Sequence, residues 1–340
     1  MSIIVYPRDF SGLHEIANAT AVQMSYYYND IGKLILDVPI NAENAAALQN
    51  DNILYDTVKK IAYVIKNVKT DTTQNRITAN GYTTNQILNS RAIAFSATIS
   101  NVESGVYAVV NRNLRGLSRI ATAAAKGLTE KTNISLYGGD VLTGIMPILE
   151  NAGLGNRMKF DHRTLSHTFE VYKGRDLTSG IHAVVFSDEQ GTARDLVIND
   201  DVSELKNFAY VVAEHDGTQL LESVGTATGD DRHEMWCEVS LSQEEGETRA
   251  LFRERMRNHG AMELGKKIRK LSFSVTVDPS ELGVLYNIGD LVACVSKRFG
   301  VRFNARISGV KYKKDSKSET TEIILGEPVL TTIGEVSLNG

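Results

Sequence analysis

The chain has 340 residues, 42% hydrophobic and 23% charged, with 37 Lys and Arg against 41 Asp and Glu for a net charge of −4. This is the composition of a folded protein of about two to four domains, and it argues against a general nucleic-acid binder, whose affinity comes from surplus Lys and Arg. No stretch approaches the roughly 18–20 apolar residues of a membrane span. The opening "MSIIVYPRDF" lacks the basic-then-apolar pattern of a secretion signal, and two distant cysteines, Cys237 and Cys294, make neither a disulfide framework nor a zinc site.

The first hundred residues read as β. "AVQMSYYYND" is followed, after the turn signal Asn29-Asp30, by "GKLILDVPI", and "KIAYVIKNVKTDTTQNRITANGY" reads as two strands joined by a polar turn at Asp71 to Asn75. Ile61, Tyr63 and Ile65 share one strand face, with Val64 and Lys66 on the other. From Val106 to Lys126 the spacing of Val106, Val109, Val110, Leu114, Leu117 and Ile120 predicts a helix with one buried face. A second, shorter helix is expected over Asp140 to Asn151, ended by Gly153.

Strand-like pieces then return: "HTFEVYKG", "IHAVVFSD", "RDLVIND" and "NFAYVVAEHDGTQLLESVG". A long helix is expected from Ser242 to about Lys270, opened by a capping box of Ser242 and Glu245 and charged to complement its dipole. Gly260 and Gly265 leave room for a bend in it. In the last seventy residues Val301, Phe303, Ala305 and Ile307 alternate with Arg302, Asn304, Arg306 and Ser308, a half-buried strand. The apolar parity shifts after Gly309, which marks a β-bulge. "KKDSKSET" is then a polar hairpin loop and "TEIILGEP" the returning strand. The fold class is α+β: a small β domain at each end, residues 1–100 and 241–340 with the long helix in the latter, flanking an α+β insert at residues 101–240.

Motifs for chemistry are missing. "DHRTLSH" spaces His162 and His167 by five, which suits neither a helical metal pair nor one strand face, and "RHEMWCE" has Cys237 where a zinc peptidase needs its second His. There is no nucleophile elbow and no Walker A loop; "GTATGDD" has glycines but lacks the Lys and hydroxyl that would hold a phosphate. The adjacent pairs Asp200-Asp201 and Asp230-Asp231 read as solvated turns rather than glycosidase acids. No catalytic residue, metal ligand or cofactor site is assigned. Surface is more informative than chemistry. Tyr26, Tyr27 and Tyr28 in succession place aromatics on both faces of a strand, either as two covered faces or as one core face and one interface patch. Arg302 and Arg306 project from the outward face of theirs, where they are either solvated edge charges or partners for a neighbour's carboxylates. Tyr26, Tyr28, Arg302 and Arg306 are therefore the candidate subunit-interface residues.

The order "KLILDVPI", "ITANGYTTNQILNSRAI", "YKGRDLTSGIHAVVFSD", "LKNFAYVVAEHDG" and "YNIGDLVACV…ARISGVKY…EIILGEP" resembles the tail hub proteins of long-tailed phages and prophages, including the baseplate hubs of contractile tails. The resemblance runs from about Val5 to Pro328. Its most telling parts are "GRDLT" (Gly174 to Thr178), Gly289-Asp290, and "ARI" at Ala305 to Ile307. It implies a homotrimer in which the two end domains are tube-like antiparallel β-barrels, six per ring, connecting a sixfold tail tube to a threefold tip or spike around a DNA or effector channel. The implied partners are a tail tube or distal tail protein, a tape-measure protein and a spike or fibre protein, and the implied location is the virion tail. A tail-tip cell-wall hydrolase or a carbohydrate-binding adhesin is the alternative. In this frame Asp290 caps the turn that Gly289 permits, and a chain cut after Leu271 is expected to remain soluble but monomeric.

Overall fold

The structure, a computed structural model, describes residues 2–329 other than 96, 137, 188, 190, 193, 242–245, 266, 268, 269, 279 and 297–300. The first strands are β1 (Ile3–Tyr6), β2 (His14–Ile16), β3 (Ala21–Tyr27), β4 (Lys33–Pro39), β5 (Ile53–Asp56), β6 (Ile61–Asp71) and β7 (Arg76–Thr83), with helix α1 (Ala42–Ala47) between β4 and β5. A 3-10 turn, Thr84–Ser90, leads to β8 (Ala97–Asn101), α2 (Val102–Asn113), β9 (Ile120–Thr122), β10 (Lys131–Leu136), α3 (Val141–Asn151), β11 (Gly155–Asp161) and β12 (Ser166–Tyr172). Then come β13 (Val185–Ser187), β14 (Arg194–Asp201), β15 (Phe208–His215), β16 (Thr218–Val224), β17 (Glu234–Glu238) and α4 (Arg249–Gly265). The chain closes with β18 (Lys270–Thr276), β19 (Leu291–Ser296), β20 (Val301–Lys314) and β21 (Glu319–Val329). The class is α+β, mostly strand, as expected. By contacts the chain divides into two compact units, residues 1–197 with 273–340, and Ile198–Ser272.

In the first unit, strands from both ends of the chain form one sheet, in the order β18-β21-β20-β3-β4-β7-β6-β5-β1-β2. Alternation builds it: Leu34, Leu36 and Val38 of β4 are buried while Lys33 and Ile35 are exposed. The core on that face takes Ile3, Leu34, Tyr63 and Ile65 from the first strands and Tyr312 from β20. Each such side chain, fully buried, contributes about 1.5–3 kcal/mol. β6 is covered on both faces, because Ala62 and Val64 point instead into a cluster with Tyr55 and Phe160 of β11. A separate core fills the insert, where Val106, Val109 and Val110 of α2 and Leu142, Ile145 and Leu149 of α3 meet Ile99, Phe169 and Val171.

Two helices are shorter than their periodicity suggests. α2 runs over Val102–Asn113 rather than to Lys126, because Arg115 (φ 32°) and Gly116 (φ 84°) turn the backbone out of helix. Its later apolar residue Ile120 reaches the same core from strand β9. α4 starts at Arg249, with Thr248 Oγ1 accepting from Leu251 N–H, and ends at Gly265. The capping box expected at Ser242 and Glu245 lies outside the described residues. α3 ends as expected, with Gly153 at φ 65° and Leu154 N–H bonded to Leu149 O at 2.8 Å.

In the unit Ile198–Ser272, β15 lies between antiparallel β16 and parallel β17, and Phe252 and Met256 of α4 cover Val211, Leu220 and Cys237. α4 runs unbroken through Gly260. A Cβ there would lie 2.2 Å from Val211 Cγ2, so the glycine lets the helix approach the sheet.

Candidate functional site at the junction of the terminal strands

β20 is the splice in the sheet. Its first half, Val301 to Arg306, pairs with β19, its second half, Gly309 to Lys314, pairs with β3, and β21 runs along its other edge. The change of partner falls on a register shift between Ile307 and Gly309, the bulge that the parity change predicts. Tyr28, the residue after β3, follows the ladder into that bulge, its N–H bonded to Ser308 O at 2.8 Å.

Tyr28 is only 5% exposed. Its hydroxyl lies 3.0 Å from Gly153 O and 3.1 Å from Tyr172 O, and accepts the Gly174 N–H at 3.3 Å. Its ring meets Tyr172 edge to face at 5.1 Å. Arg306 stacks its guanidinium 5.3 Å from the same ring and donates to Gly289 O at 2.5 Å. Burial raises the Tyr28 phenol's pKa, so the group stays a neutral donor.

The two motif fragments noted in the sequence meet here. Asp290, 2% exposed, accepts from Asn287 N–H at 2.9 Å, closing the turn as expected. It also accepts Arg175 N–H at 2.8 Å and the Arg175 side chain at 3.1 Å and 2.6 Å. Leu291 N–H then bonds Arg175 O, and Leu177 N–H bonds Leu291 O, both at 2.8 Å. Gly174 is required by contact: a Cβ would sit 1.7 Å from Gly289 O. Gly289 itself stands at φ 93°, where a side chain is strained. Both oxygens of Asp290 are thus engaged, which makes it a clamp between the two segments.

Sequence reasoning missed a second carboxylate. Glu170 of β12 is 4% exposed and takes Arg157 and Lys126 at 2.6 Å and Lys159 at 2.7 Å. Burial alone would push its pKa up, but the three cations outweigh that and hold it at about 2. The signal was the alternation of Arg157 and Lys159 on β11, whose shared face is legible only once β12 is known to be its partner.

The candidate interface residues separate. Tyr28 and Arg306 are engaged inside the chain. Tyr26 is half-buried beside a cleft of about 730 Å³ that it shares with Tyr27, Tyr55 and Lys59. Arg302 is exposed on β20. Both cysteines are buried, and burial pushes the Cys294 thiol up to about 12. Among the described residues no group of three His, Cys, Asp or Glu could hold a metal ion, and no helix is long and apolar enough to cross a membrane.

Three solved structures share the fold. The tail protein from Neisseria meningitidis MC58 superposes with a TM-score of 0.60 at 14% identity, covering 96% of this chain and 97% of that one. The prophage MuSo2 43 kDa tail protein from Shewanella oneidensis gives 0.58 at 11%, covering 96% and 98%. Prophage tail protein gp18 from Listeria monocytogenes EGD-e gives 0.54 at 15%, covering 96% and 94%. Among curated proteins no sequence matches this chain. The family model of the Siphovirus ReqiPepy6 Gp37-like proteins matches residues 2–327, nearly the whole chain, and the protein belongs to that phage tail protein family.

Proposed function

We propose that the protein is the homotrimeric hub of a phage or phage-like tail, a structural component and not an enzyme. Residues 1–100 and the strands of 241–340 each supply one tube-like barrel, and three chains close a ring of six around a channel for DNA or an effector. The hub sits at the baseplate or tail tip, between a tail tube or distal tail protein with its tape-measure protein above and a spike or fibre protein below. The observation that carries this reading is the β3–β20 ladder. It pairs Gly309 with Tyr27 and Lys314 with Val22, so the two ends of the chain stand side by side as neighbouring members of a wall would.

Tyr26 and Arg302 are proposed to face the neighbouring subunit, while Tyr28 and Arg306 act from inside by fixing the angle between the two strand sets. Light scattering after gel filtration tests the assembly. The expected mass is three times the 37.4 kDa chain, with ring-shaped particles by negative stain. A species that stays at one chain mass at every concentration, without rings, overturns the reading. Arg302→Glu should shift the equilibrium toward monomer without changing the far-UV spectrum, and an unchanged mass would remove Arg302 from the interface.

A further inference from the structure

A cleft of about 630 Å³ is built between the first strands and the segment that leads from α2 into β9. Its floor includes Ile53, Ile87 and Ile120, while its walls carry Arg8, Lys66, Arg91 and Arg119. Asp51 is the one carboxylate among the lining residues, so four cations face one anion, an excess of three on a chain whose net charge is −4.

Asp51 is shared by Lys66 at 2.6 Å and Arg8 at 3.3 Å, and the Arg8 side chain remains 79% exposed. Arg119 donates to Leu165 O at 3.2 Å and stacks 4.7 Å from the Phe10 ring, and Arg91 donates to the carbonyls of Leu114 and Arg115. These bonds aim the guanidinium groups without neutralising them. His167 also lines the cleft. It is 4% exposed, and its Nε2 has no hydrogen-bond partner among the described residues, a state that buried polar groups rarely keep.

We propose that this cleft receives an acidic, extended peptide segment of a partner protein, with carboxylates on the arginine-bearing walls and an apolar side chain on the floor. An apolar floor inside a charged rim is the anatomy of a protein interface. A phosphate backbone would use the cations but gain nothing from the isoleucines. The site is independent of the trimer reading, since it is complete within one chain.

The test is fluorescence anisotropy of a peptide carrying fluorescein on its N-terminal amine, fluorescein-Glu-Glu-Leu-Glu-Glu-amide, titrated with the full chain, alongside a labelled 12-base-pair DNA duplex. The expected result is saturable peptide binding, weakened about tenfold or more in the double variant Arg8→Ala, Arg119→Ala and weakened by added salt, with a shift of the His167 ring nitrogens on peptide addition. Both arginines are exposed, and Arg119→Lys, which keeps the charge, should retain most of the binding. No saturation at about 1 mM protein, undiminished binding by the double variant, or tighter binding of the duplex overturns the proposal.

Discussion

Asp290 illustrates how much one residue can hold. It joins its own turn at Asn287 to the distant Arg175 through four short hydrogen bonds. Replacing it by Ala strands two backbone N–H groups and half of a charge pair, so Asp290→Ala should cost roughly 2–3 kcal/mol in urea unfolding, and Arg175→Lys, which loses the two-pronged contact, about 1 kcal/mol. Glu170 and His167 should divide the acid response between them. Glu170 is held below the usual carboxylate range, so its contribution is complete above about pH 4.5 and is lost as pH falls toward 2. His167 is pushed by burial down to about 4, so its contribution is complete above about 6.5 and fades as pH falls toward 4. Glu170→Gln should flatten the stability profile only in the lower window and His167→Phe only in the upper one. Because the cations around Glu170 are about half exposed, about 2 kcal/mol is the expected size of the lower effect. Equal flattening across both windows would refute the assignment.

Among the elements, α4 and β20 are set by opposite demands. Alanine in place of Gly260 raises helix propensity by up to about 1 kcal/mol, but its Cβ must enter the space held by Val211. Overpacking of that kind costs about 1–3 kcal/mol, so Gly260→Ala should lower stability and loosen hydrogen-exchange protection in β15, despite the better helix former. β20 changes partner at its bulge, and Arg306 stands just before it. Arg306→Glu should disturb the junction itself, detected as lost near-UV signal from its tyrosines, whereas Arg302→Glu should act only on association. The periodicities of β4, β20 and α3 were legible in the sequence because burial on one face imposes them directly. The end of α2 was not: its apolar spacing continues to Ile120, and only Arg115 and Gly116 at positive φ break it.

For the whole molecule, the closing segment is part of the opening one. Tyr312 is buried among the side chains of β1, β4 and β6, and β20 supplies the hydrogen-bonding edge for β3. The expectation that a chain cut after Leu271 stays soluble therefore changes. Such a fragment should expose the β3 edge and aggregate, as sedimentation or light scattering will register; a stable, well-dispersed fragment would show that β20 is dispensable.

By itself the sequence determined the α+β class, the mostly strand character, the presence of α2, α3 and α4 though not the ends of α2 and α4, and the order of fragments that places the chain among phage tail proteins. These follow from side-chain periodicity and turn chemistry, which act within a dozen residues. The tertiary structure alone decided which strands are neighbours, that Arg175 finds Asp290, that Tyr28 and Arg306 turn inward, and that three cations converge on Glu170. Backbone hydrogen bonds carry no residue identity. Pairing across the length of the chain is therefore settled by which buried faces, close-fitting glycines and compensating charges can all be satisfied at once.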